Sequence, residues 1–156
     1  MKRCPDEYLT RWFSIMHRLT MSCVANGLKE HNVGSGQAMF LLELFHCDGI
    51  RQEELSKHLN IDGANTTRAI KKLVQEGYVE RRPDPEDGRA QRIFLTERAF
   101  QLKPQLFDVL SDCEQTLLEG LSAEERKLFI SLVKRIGHFV ADAGRCADCS
   151  FSADCS

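Results

Sequence analysis

A mainly helical fold carrying one small β-hairpin follows from two features of the 156-residue chain. Apolar residues recur at three- and four-residue steps through most of the sequence, the period of helices with one buried face. That period breaks between residues 78 and 95, where two short runs flank the polar turn segment Pro83-Asp84-Pro85-Glu86-Asp87-Gly88-Arg89. Hydrophobic residues make up 42% and charged residues 28% of the chain, enough apolar material for the core of one domain. No stretch approaches the ~18 consecutive apolar residues of a membrane span. The opening Met1-Lys2-Arg3-Cys4-Pro5-Asp6-Glu7 has no apolar run behind it, so it does not read as a secretory leader. A cytoplasmic protein is the expectation.

The first helix is marked by Leu9, Trp12, Phe13, Met16, Leu19, Cys23, Val24 and Leu28 on one face, and residues 32–36 break it. A second helix over 37–47 is apolar nearly all round (Ala38, Met39, Phe40, Leu41, Leu42, Leu44, Phe45), which predicts a central, buried position. After the Asp48-Gly49 turn comes a short helix over 52–59, with Leu55 and Leu59 facing in. Asp62 is placed to cap a helix over 64–76, and Gly77 suits its left-handed stop. Ile70 and Leu73 form that helix's inner stripe. Asn65, Thr66, Thr67, Arg68, Lys71 and Lys72 are expected on its outer face. Strands over 78–82 and 91–95 enclose the hairpin tip. Thr96 can cap a helix over 97–119, which Pro104 should bend or restart. Ser122-Ala123-Glu124-Glu125 is a capping box opening a last helix with the stripe Leu128, Phe129, Leu132, Val133, Ile136 and Val140.

Short helix, tight turn, second helix and hairpin make a winged helix–turn–helix with a two-stranded β-wing. Four segments follow: 1–47 and 97–142 as flanking helical blocks, 48–96 as the reader, and 143–156 as a cysteine-rich end. Duplex DNA suits the reader. Its second helix fits the major groove, where Asn65 and Arg68 can make two-pronged base contacts and Thr66 and Thr67 can bond phosphate or touch a thymine methyl. The hairpin tip brings Arg89 to the narrow minor groove. Net charge is −2, which excludes a globally basic nucleic-acid coat, yet residues 64–98 hold 8 basic against 6 acidic groups. No paired carboxylates, Gly-rich phosphate loop or Ser–His–Asp arrangement stands out, so an enzyme is not expected.

The chain resembles the MarR (multiple antibiotic resistance regulator) family over about residues 7–142. The carrying residues are Gln52-Glu53-Glu54-Leu55, Thr67-Arg68, Leu73-x-x-x-Gly77-Tyr78-Val79-x-Arg81, Asp87-Gly88-Arg89, Leu95-Thr96 and Leu121-Ser122-x-Glu124-Glu125. The resemblance implies a homodimer with intertwined first and last helices. It implies a repressor on a pseudo-palindromic operator, released by a small ligand, a metal or oxidation. By motif position Arg89 is the wing-tip arginine and Asp87 its orienting partner. Two departures are Arg51, where the family often has a Ser or Thr cap, and Ala99, where it often has Gly. The family's peroxide-sensing branch has a reactive Cys where this chain has residues near Thr10, so sensing of that type is not expected.

Seven cysteines include Cys146-x-x-Cys149-x5-Cys155 at the end. Thiolates two residues apart can chelate one cation, as in zinc and iron–sulfur sites, and Cys4 can supply a fourth ligand. A disulfide between two of these thiols, or a reduced segment with no ligand, are the alternatives. Cys23, Cys47 and Cys113 lie in apolar helical patterns and read as small core residues. His17 and His46 are the candidates for lining an effector pocket. The rival functional reading is a metal or iron–sulfur protein whose winged helix docks a protein partner.

Overall fold

The computed structural model describes residues 4–143. It divides into two units, residues 1–117 and 118–156. In the first unit α1 (Leu9–Gly27) and a 3-10 turn (Lys29–His31) lead into α2 (Ser35–His46). Then come β1 (Ile50–Arg51), α3 (Gln52–His58), α4 (Gly63–Gln75), β2 (Val79–Pro83), β3 (Gln91–Leu95) and α5 (Glu97–Leu117). The second unit contains α6 (Ala123–Ala143).

Local chemistry places the boundaries. The Asp62 carboxylate accepts the Asn65 amide N–H at 2.8 Å and caps α4 as expected. Gly77 ends α4 at φ +75°, and the Tyr78 amide closes back on the Leu73 carbonyl. The Ser122 capping box is formed in both directions: the Ser122 amide donates to Glu125 at 2.8 Å, and the Glu125 amide to Ser122 Oγ at 3.3 Å. Thr96 behaves otherwise than expected. Its hydroxyl donates to the Gly77 and Tyr78 carbonyls, at 2.6 and 3.1 Å, and so ties the start of α5 to the end of α4. Pro104 does not interrupt α5. The proline removes one amide donor, but Leu102 and Leu106 on either side of it are buried and hold the helix together.

The hairpin is part of a larger sheet than the two-stranded wing. β1 adds a third antiparallel strand, in the order β1-β3-β2, with Ile50 opposite Ile93 and Val79 opposite Leu95. A two-residue strand leaves too short an alternation to be seen in sequence.

The core of the first unit gathers around α2, whose Ala38, Phe40, Leu41 and Leu44 are buried as its composition predicts. Leu55, Ile70, Leu73, Tyr78, Ile93 and Leu106 complete it from the surrounding elements. Burying each large apolar side chain fully contributes about 1.5–3 kcal/mol. Two predicted stripes are not buried. On α1 only the second half is covered, while Leu9, Trp12, Phe13 and Leu19 are exposed. On α6 Leu128, Leu132, Val133, Ile136 and Val140 are all exposed, as is Phe139 at 74%.

None of the three internal cysteines is a simple core residue. Cys23 on α1 and Cys113 on α5 form a disulfide, with Cα atoms 5.9 Å apart. Cys47, expected inside, is exposed at the C-cap of α2, where the helix has stopped at His46.

Candidate nucleic-acid interface

The reader's geometry starts from α3 and α4, which are locked by polar contacts across the turn. Ser56 Oγ donates to Thr66 Oγ1 at 2.9 Å, and Thr66 Oγ1 donates to the Asp62 carbonyl at 3.0 Å. Thr66 is therefore fully buried. This corrects its expected place on the outer face: four residues from Asp62, its hydroxyl back-bonds into the helix and seals the turn instead. Thr67 is exposed and its hydroxyl accepts from Gln52 Nε2 at 3.1 Å.

The remaining predicted contacts of α4 do share the outward face. Asn65, Arg68, Lys71 and Lys72 are all exposed. Asn65 donates its side-chain amide to Asp62, and its Oδ1 accepts from the Arg68 guanidinium at 2.5 Å. The two residues best suited to base edges thus sit side by side at the helix N-terminus. Backbone and side-chain bonds from Asn65 hold the Asp62 carboxyl below the usual carboxylate range, so the cap stays charged and keeps accepting.

The wing rests on a buried charge that sequence reasoning missed. Asp84, at the base of the hairpin tip, has no exposed side-chain surface. Its carboxylate accepts from Arg51 Nε and Nη2 at 2.7 and 3.1 Å, and from Arg92 Nε at 2.6 Å. It also accepts the amides of Glu86 and Asp87 at 2.8 and 3.0 Å. Arg92 in turn donates to the Gly49 carbonyl at 2.9 Å. The Arg51 guanidinium, helped by the two amides and Arg92, holds the Asp84 carboxyl far below its usual range despite burial. Arg51 thus has a task of its own. Its amide makes half a capping box with Glu54 at 3.2 Å, and its side chain bridges the start of α3 to the wing. The available signal was the Asp within Pro83-Asp84-Pro85, a turn residue able to bond amides two and three positions on.

Arg89 stands exposed at the hairpin tip. Asp87 meets it through the backbone: Asp87 Oδ1 accepts the Arg89 amide N–H at 3.0 Å. A cleft of about 240 Å³ lies between wing and α3, lined in part by Arg51, Gln52, Arg89 and Gln91. His17 and His46 are both exposed, one in mid-α1 and the other ending α2. Among the described residues no group of three or more His, Cys, Asp or Glu could hold a metal ion. Cys4 is exposed, whereas Cys146, Cys149 and Cys155 lie outside the described residues. Nor is any described helix long and apolar enough to cross a membrane.

A short helix and a capped second helix, followed by a hairpin braced against the start of the first, define a winged helix–turn–helix transcription regulator. The MarR family model matches residues 35–90. A MarR transcriptional regulator from Methanosarcina mazei Go1 is 33% identical, with a TM-score of 0.84 over 88% of this chain and 99% of that one. The HTH-type transcriptional regulator YybA of Bacillus subtilis is 28% identical over 69% of this chain and 72% of its own length. A mutant MarR from E. coli, solved in complex with operator DNA, is 26% identical, with a TM-score of 0.74 over 82% of this chain and 92% of that one. The chain belongs to the MarR family of DNA-binding transcription regulators.

Proposed function

We propose that this regulator is a cytoplasmic homodimeric repressor that binds a pseudo-palindromic operator and leaves it on a small-ligand, metal or redox signal. The observation that carries the reading is the shared exposed face of Asn65, Thr67, Arg68, Lys71 and Lys72, with Arg89 held out on a braced wing. On this reading α4 enters the major groove with Asn65 and Arg68 toward base edges, and Lys71 and Lys72 meet phosphate. Arg89 enters the adjacent minor groove, where negative potential concentrates. Operator DNA bound to the related E. coli protein supports the same use of the fold.

Dimerisation supplies the spacing. Two recognition helices must stand roughly 34 Å apart, one turn of the duplex. The apolar faces exposed on α1 and on α6 support self-association, since a monomer in water rarely leaves so many large apolar side chains uncovered. An effector that favours another spacing by ~1–3 kcal/mol changes operator affinity roughly 5–150-fold.

The test is binding to a duplex enriched from a random pool on the wild-type protein, measured across salt concentrations. Arg68→Ala should weaken binding by about 1–3 kcal/mol and relax sequence preference at one position. Arg89→Ala should weaken it by a smaller factor, with the dimer and helix content intact. Unchanged affinity in both folded variants, or binding insensitive to salt, would refute the docking geometry.

A further inference from the structure

Cys23 and Cys113 lie one turn to one side of a close approach between α1 and α5. At Gly27 an added Cβ would fall 2.6 Å from the Val109 side chain, so the missing side chain is what permits this approach. Cys23 lies one turn before Gly27, and Cys113 one turn after Val109, as antiparallel helices require. Their sulfurs are bonded across that crossing. The two cysteines differ in access. Cys113 is 4% exposed, whereas Cys23 is only half-buried, so Cys23 is the more accessible residue of the pair. The crossing is also connected to the DNA-facing elements. α5 follows β3 of the wing directly, and Thr96 at its start holds the end of α4 through Gly77 and Tyr78. The other cross-linked helix carries the exposed residues Leu9, Trp12, Phe13 and Leu19.

We infer that the Cys23–Cys113 pair is a thiol–disulfide switch on DNA binding, closed by small disulfides, opened by dithiols, with the closed form binding DNA. This rests on the DNA-binding, cytoplasmic reading above, because disulfides in that compartment are characteristically transient and redox-sensing. In opening, one thiolate of the dithiol attacks Cys23 Sγ. A mixed disulfide forms, the bond to Cys113 breaks, and Cys113 leaves as a thiolate that takes a proton from water. The second thiolate of the dithiol attacks its own sulfur in the mixed disulfide and releases Cys23. Two electrons pass to the protein, and the dithiol departs as a cyclic disulfide. In closing, the Cys23 thiolate attacks a small disulfide and expels one thiolate. Cys113 then attacks Cys23 Sγ and expels the second. Reduction frees α1 and α5 to change their crossing, and the wing and α4 move with α5.

The test compares the full-length wild type with Cys23→Ala/Cys113→Ala, each treated with oxidised glutathione or with dithiothreitol. Operator affinity, helix content and disulfide mapping by mass spectrometry are read in parallel. The oxidised wild type should carry the Cys23–Cys113 bond and bind at least about fivefold tighter than the reduced form. The double variant should bind like reduced wild type under both treatments. Equal affinity of the two wild-type states overturns the switch and leaves the regulator reading standing. So does a dithiol response retained in the double variant, which would assign it to other cysteines. Loss of helix on reduction would make the bond a staple instead. Failure to bind any duplex while the bond is mapped overturns the DNA-binding reading, and the switch with it.

Discussion

The reader and α6 handle their apolar residues in opposite ways. In the reader, Leu55, Ile70, Leu73, Tyr78 and Ile93 are buried, and its one buried carboxylate has five donors. On α6, Leu128, Phe139 and Val140 are each at least 60% exposed. The helices of the reader and α6 show the same period in sequence. Periodicity reports which face wants to leave water, and it is silent on whether the same chain or another one supplies the cover.

The largest effect that would sharpen this contrast is at the centre of the first unit. Phe40→Ala should destabilise it by about 3–5 kcal/mol, read by urea unfolding, because the surrounding α2 core cannot collapse into the space. Leu128→Ala, on an exposed position of α6, should act only in proportion to self-association, so its effect should depend on protein concentration. A concentration-independent loss as large as that of Phe40→Ala would break the comparison.

Charges on α6 come next. Leu132→Asp with Ile136→Asp should weaken self-association at least about 100-fold, equivalent to about 2.7 kcal/mol, measured by sedimentation equilibrium. Hydrogen exchange through residues 35–96 should be unchanged. A wild type that sediments as a monomer at all concentrations would show that these faces are covered by something other than a second copy.

The smallest effect concerns pH. The folded-state pKa of Asp84 is depressed, so its contribution is complete above the ordinary carboxylate range, about pH 3.9, and fades as pH falls below it. Asp84→Asn should therefore be less stable than wild type at neutral pH. The gap should narrow as pH drops through about 4, as followed by proteolysis within the hairpin. A gap constant with pH would mean that the lost geometry, and not the charge, matters.

How far the sequence could be read follows the same division. The order of elements, the Asp62 cap, the Gly77 stop and the Ser122 capping box were legible because each depends on neighbours within five residues. The outward set on α4 was legible except for Thr66, whose hydroxyl chooses the helix backbone over solvent. What escaped was non-local. Arg51 and Asp84 are 33 positions apart, and Cys23 and Cys113 are 90 apart. Neither pair has a periodic signal, and a cysteine within an apolar stripe looks the same whether it packs or bonds. The third strand escaped for a different reason, being only two residues long.

The brace at Asp84 also bears on how such a reader can diversify. Because Arg51 and Arg92 grip the same carboxylate, the hairpin is not an independent module. Transplanting the tip alone, residues 83–91, into a relative lacking either arginine would strand an anion in a closed site. The smallest cassette that carries its own counter-charges runs from residue 51 to residue 92. New operator preferences would then be reached by exchanging recognition helix and wing together, or by changing exposed residues such as Arg68 and Arg89 while leaving the brace untouched.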